Sequence, residues 1–220
     1  MMNFFRRHKR VIFVVTIVAF LGVIFFSAVS SLFSKSSDFA VKVNGVTVPM
    51  DLFSSIYTNS VISYQQAANR SLDEKELNED KARIIQTLIQ TELLYQEAAK
   101  YGIVVTDEEL NLDLQNSLEF KDSDTFSVNK YKSFLNAIKI RPKDYESLRR
   151  KQLVANKVKM VMASSIKLWS YEIELANRQT PSVSREELFF TKVNLVLTDW
   201  YISEIKNSKI ISNNLIFKTA

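Results

Sequence analysis

The chain has 220 residues, no cysteine, one histidine and three glycines, and a formal charge of +5. Four of its 29 basic residues, Arg6, Arg7, Lys9 and Arg10, stand in the first ten positions, which leaves 25 basic against 24 acidic side chains in the rest, a nearly neutral body. That argues against nucleic-acid binding, which places positive charge on the folded domain, and the residue inventory is poor in the imidazole and thiolate that metal centres and Cys–His pairs need.

Residues 1–10 read as a basic cytoplasmic segment and residues 11–33 as a transmembrane anchor. The run from Val11 to Phe33 has 23 residues without a charge, about 34 Å as a helix against a hydrocarbon core of about 30 Å. RRHKR precedes it and Lys35 is the next basic residue, so the positive-inside rule places the N-terminus in the cytoplasm and the remainder outside. The alternative is a cleavable signal peptide ending near Ala28-Val29-Ser30, although the apolar run exceeds the roughly 7–15 residues of a usual signal core. Residues 34–40 form a linker, and residues 41–220 are expected to fold as one exported domain.

Valines then alternate on both sides of Asn44-Gly45, a pair that tolerates the positive φ angles of a type I′ hairpin turn. Val41 and Val43 should face Val46 and Val48, and Pro49 stops the second strand. Two strands of this length are not stable alone, so a later segment must cover them. Residues 50–69 predict a helix with Leu52, Phe53, Ile56, Tyr57 and Tyr64 at helical spacing. Ser71 with Glu74 suggests a capping box for a second helix reaching about Lys100. Its apolar face comprises Ile84, Leu88, Leu94 and Ala98, widened by Ile85, Ile89 and Tyr95.

Gly102 suits the left-handed residue that ends such a helix. An extended Ile103–Val105 follows, and Thr106 with Glu109 forms a capping box ahead of Leu110, Leu112, Leu114 and Leu118. FKDSDTFSVN reads as a polar loop with two isolated phenylalanines, leading into the helix YKSFLNAIK. Pro142 occupies a first-helical position, and the helix from Lys143 to about Met162 carries Tyr145, Leu148, Val154, Val158 and Val161. Arg149, Arg150, Lys151, Lys157 and Lys159 flank them as a solvated face or one that meets anionic lipid. A short helix spans Trp169 to Gln179 and Thr180-Pro181 breaks it. Ser184 with Glu187 caps a last helix, in which Phe189, Val193, Val196 and Trp200 share one face. Ile210-Ile211 and Leu215–Phe217 suggest a final strand beside the opening hairpin.

No catalytic constellation stands out. His8 lies among the basic topology residues, so a Ser-His-Asp triad has no exported histidine. A Ser-Lys pair stays open, with nothing pointing to one. Asp107, Glu108 and Glu109 occupy a helix's first turn, where negative charge favours the dipole. Glycines at 22, 45 and 102 provide no phosphate-cradling loop. No cofactor and no metal are expected.

Four stretches in this order resemble the SurA/PpiD family of periplasmic folding factors, most closely its membrane-anchored PpiD-like branch: AVKVNGVTVPMDLF, LIQTELLYQEAAKYGIVVTDEEL, FKDSDTFSVNKYKSFLNAIKIRPKDYESLRRKQL and LTDWYISEIKNSKI. The resemblance implies a mainly α fold: a transmembrane helix, then a SurA-N-like chaperone module with a small hairpin and a C-terminal closing helix or strand. It departs from the family in having no segment that fits a parvulin domain, so prolyl isomerase activity is not implied. It departs also at Arg141, where a capping Ser or Thr is usual. The implied protein is an ATP-independent holdase in the bacterial inner membrane with its domain in the periplasm, binding unfolded or newly translocated polypeptides. Aromatic side chains suit an adaptable apolar surface; Phe53, Tyr57, Tyr64, Tyr131 and Phe134 are the candidate client contacts. The alternative is a non-catalytic adaptor docking a fixed translocon or envelope partner.

Overall fold

The computed structural model describes residues 39–179, 184–213 and 216. The expected anchor at 11–33, its basic flank and most of the linker lie outside the described residues, as do Thr180-Pro181, Leu215 and Phe217. Among the described residues no helix is long and apolar enough to cross a membrane.

Strands β1 (Phe39–Val43) and β2 (Val46–Pro49) form the hairpin, and its turn residues Asn44 and Gly45 have φ of 51° and 85°, as a type I′ turn requires. Strand β5 (Ile210–Ser212) lies on the other side of β1, giving the order β2-β1-β5. It runs antiparallel with Val41 opposite Ser212 and Val43 opposite Ile210. The C-terminal strand expected beside the hairpin is therefore present over Ile210–Ser212. Val41, Val43 and Val48 are buried, whereas Val46, beside the turn, stays exposed.

Seven helices follow among the described residues. They are α1 (Met50–Ala68), α2 (Glu74–Lys100), α3 (Asp107–Asn116), α4 (Val128–Ala137), α5 (Pro142–Ser165), α6 (Ser170–Gln179) and α7 (Arg185–Asn207). The chain is mainly helical with small sheets, as expected. Helix α2 is central because its apolar positions face two neighbours: it packs against both α1 and α5. Its cap differs from the expected one. Asp73, not Ser71, accepts the Glu76 N–H at 2.8 Å while Glu76 bonds back to the Asp73 N–H at 2.9 Å. This frame also lets Arg70 hold Glu76 from outside the helix, which a box at Ser71 and Glu74 would forgo.

Two apolar clusters form the core. One covers the sheet, joining Val41, Val43 and Val48 to Phe53, Ile84, Leu88, Leu148, Tyr201 and Ile216. This answers what covers the hairpin: helices α1, α2, α5 and α7 do. The second joins Leu94 and Ala98 to Leu110, Leu114, Phe120, Val154 and Val158, and Trp200 packs against both clusters. Leu112 and Leu118 do not join it. Leu112 points away from the Leu110–Leu114 face, and Leu118 follows the end of α3 in a single 3-10 turn, Leu118–Phe120.

The expected polar loop is instead a miniature hairpin, β3 (Lys121–Asp122) with β4 (Thr125–Phe126). It tucks Phe120 fully inside, edge-on to Phe126, Tyr131, Phe134 and Tyr145. Val161 at the end of α5 and Val196 on α7 are exposed. In α7 the inward stripe runs through Val193 and Tyr201, so its face is rotated away from the expected Val196.

Candidate functional site

Helices α1 and α5 each lie against α2 but diverge from one another, and the space between them is an open cleft of about 790 Å³. Strand β2 forms one end wall through Thr47, Val48 and Pro49. Leu52 from α1, Leu88 from α2, Ile138 and Ile140 from the α4–α5 turn, and Leu148 from α5 supply aliphatic surface. Lys139 has φ of 54°, a left-handed residue that reverses the chain between the two isoleucines. A smaller cavity of about 220 Å³ shares Ser55, Ile138, Ile140 and Leu148 with the cleft and extends it toward Phe134 and Tyr145.

The cleft holds two charged pairs. Glu92, only 3% exposed, accepts hydrogen bonds from Lys151 Nζ at 2.6 Å and Gln96 Nε2 at 3.0 Å. Gln96 also donates to the Val43 carbonyl and accepts from Asn44 Nδ2, so one network links the cleft floor to the hairpin turn. At the rim Arg141 forks onto Asp144 at 2.6 and 3.2 Å; this pair stands where the usual Ser or Thr cap is missing, and α5 has no side-chain cap bond.

Four of the six basic residues on α5 find partners elsewhere in the domain. Arg149 grips Asp113 through two bonds of 2.8 Å, Arg150 donates to the Val105 carbonyl, Lys151 meets Glu92, and Lys157 reaches Glu109 at 2.5 Å. Helix α5 is thus tied to α2, to α3 and to the segment leading into α3. The sequence pattern of alternating basic side chains does not reveal these partners, which come from 36 to 59 residues away.

The five aromatic candidates do not converge on the cleft. Phe53 is buried in the sheet-side core and stacks on Tyr57 with centroids 5.9 Å apart. Tyr64, 43% exposed, carries the Arg83 guanidinium over its ring at 5.3 Å. Tyr131 and Phe134 belong to the cluster around Phe120, and Phe134 alone reaches the cleft's smaller extension. Tyr131 donates to Glu146 Oε1 at 3.2 Å, and burial first, then the Glu146 charge, raises its pKa. Burial likewise pushes Tyr145 up to about 12. Both phenols therefore stay protonated at neutral pH and can donate, not act as bases.

The cleft residues that sequence reasoning missed are Thr47, Leu88, Ile138, Ile140 and Leu148 as a set. Leu88 and Leu148 were legible as apolar helix positions, but nothing local distinguishes a cleft wall from core. Chemically the cleft can bury aliphatic side chains and hydrogen-bond a polypeptide at its rim. Among the described residues there is no group of acidic or histidine side chains placed to hold a metal ion.

The sequence model of a SurA-like N-terminal domain matches residues 1–159, ending inside α5. No curated protein matches the chain.

Proposed function

The chain belongs to the SurA-like N-terminal domain family, and from that premise we propose that it is an ATP-independent holdase of the chaperone type. It is tethered to the bacterial inner membrane through residues 11–33, with residues 41–220 in the periplasm, in the manner of the PpiD-like branch. Its clients are unfolded or newly translocated polypeptides. It makes and breaks no bond.

The observation that carries this reading is the cleft. Leu52 and Ile140 are part-exposed on its wall above the buried Leu88, Ile138 and Leu148, and the charged pairs Lys151–Glu92 and Arg141–Asp144 stand beside them. Such a surface takes up apolar side chains without demanding a particular charge partner. Micromolar affinity, about −8 kcal/mol, suits a client that must leave again.

The test is aggregation suppression by the full chain in nanodiscs, with several unrelated unfolded proteins and no nucleotide. Suppression of most of them is expected, and an Ile140→Asp variant, at a part-exposed wall position outside both core clusters, should lose it. Proline-limited refolding should stay at its uncatalysed rate of tens of seconds or longer. No suppression of any client overturns the reading.

A second reading rests on α7. Leu188, Thr191, Leu195, Thr198, Ile202 and Ile205 follow one another at alternating spacings of three and four, a heptad seam. Leu195, Ile202 and Ile205 are exposed. A non-catalytic adaptor would use this seam to dock a fixed helical envelope or translocon partner. Capture of one stoichiometric partner, lost on Leu195→Glu, together with no aggregation suppression, favours it.

A further inference from the structure

Strand β2 has a free edge that opens onto the cleft. A two-residue turn at Asn44-Gly45 makes Val43 and Val46 the pair that exchanges hydrogen bonds, so the N–H and C=O groups of Val46 and Val48 point at β1. The bonds to β5 agree with this phase: Asn44 N–H donates to the Lys209 carbonyl, and Asn213 N–H to the Ala40 carbonyl, so alternate residues of β1 turn toward β5. The N–H and C=O of Thr47 therefore point away from the sheet. Strand β2 is the outermost strand among the described residues, and Thr47 is both exposed and part of the cleft wall. Pro49 has no N–H, and as the residue before α1 its carbonyl serves that helix. The edge thus offers one donor and one acceptor, both at Thr47.

We propose that the cleft receives its client as an extended segment that pairs through its backbone with Thr47, laying alternate aliphatic side chains onto the part-exposed wall at Leu52 and Ile140. An extended segment fits this place for two reasons. Only a strand presents backbone groups to an open sheet edge, and its side chains alternate between faces, so every second one enters the cleft. A helical client would leave the Thr47 groups unsatisfied once the cleft closed over them. The pairing involves no side-chain recognition, so it admits many sequences while the aliphatic wall selects those with leucine, isoleucine or valine at every second position. This inference rests on the holdase reading and names the form in which the client binds.

The test uses the full chain in nanodiscs and a fluorescent peptide of about ten residues with a single Leu-Ser-Leu centre between Gly-Ser flanks, followed by fluorescence polarisation. The peptide is compared with analogues N-methylated at one central residue at a time. N-methylation at the position whose N–H faces Thr47 is expected to weaken binding about tenfold, and its two immediate neighbours should have little effect. Thr47→Pro, which removes the edge donor at a position where edge strands tolerate proline, should weaken the unmodified peptide similarly, while Thr47→Val should bind it as the parent protein does. If every N-methylated analogue and both variants bind like the parent pair, strand pairing is wrong and the holdase reading survives. If the unmodified peptide does not bind and aggregation is not suppressed either, both fall together; suppression without peptide binding removes the pairing alone.

Discussion

Asn44 holds a backbone φ of 51°, and from that position its side chain donates to Gln96 and Ser208 and accepts from the Lys209 N–H at 2.9 Å. The turn type was legible from Asn-Gly. The partners were not, because they stand 52 to 165 residues away. Two substitutions separate the roles. Asn44→Gly keeps the left-handed angle at no steric cost and loses the side-chain bonds, which should cost about 1–2 kcal/mol. Asn44→Ala should cost about 1 kcal/mol more, from a Cβ forced into that region; urea denaturation of both variants reads the difference. Lys151 behaves differently because its partner Glu92 is buried. Lys151→Met leaves the carboxylate with the Gln96 donor alone and is expected to destabilise by about 3 kcal/mol, whereas the double change with Glu92→Leu should recover most of that loss. Equal losses for the single and double variants would contradict this account.

At the level of elements, four helices open in the same way. A glutamate in the first turn reaches back to the backbone N–H of the residue that starts the helix: Glu76 to Asp73, Glu109 to Thr106, Glu172 to Trp169 and Glu187 to Ser184. Two of these were readable as Ser/Thr-x-x-Glu. The box at residues 73 and 76 was read two residues early, since Ser71-Glu74 matches the same pattern and only the fold selects between them. Trp169 has no capping side chain to betray its position. Hydrogen bonds hold all four carboxylates below the usual glutamate value, Glu76 at about 2 through Arg70 and the Asp73 N–H. A depressed folded-state pKa means the charged form favours folding, so this stability is present above about pH 4.5 and is lost as pH falls toward 2. The thermal midpoint should therefore drop across that window, and Glu76→Gln should flatten the drop. A midpoint that holds steady from pH 5 to pH 2 would remove the glutamates from the account.

For the whole molecule the two apolar clusters matter more than any one helix. Phe120 sits at the centre of the second cluster with no exposed surface. Phe120→Ala should destabilise by about 3–5 kcal/mol, from lost burial plus the cavity left behind. Tyr64→Ala, at an exposed ring, should stay within about 0.5 kcal/mol. Calorimetry on both separates them, and similar losses would mean that Tyr64 packs more tightly than its exposure indicates. The same contrast bears on client binding. Phe53 and Tyr131 serve the core, so their truncation should reduce suppression only by unfolding the protein, while Ile140→Asp acts at a part-exposed position of the cleft wall.

The order of helices, the turn at Asn44-Gly45, the start of α5 at Pro142 and the caps at Thr106 and Ser184 were all determined by the sequence alone. Each depends on neighbours within about four residues, where periodicity and backbone preference act directly. The tertiary structure decided the rest: which aromatic rings are core, what the basic side chains of α5 hold, and that a cleft exists at all. A cleft is the gap left where α1 and α5 diverge over α2. Its walls are ordinary apolar helix positions, and no local pattern distinguishes a leucine that meets a neighbour from one that faces an opening.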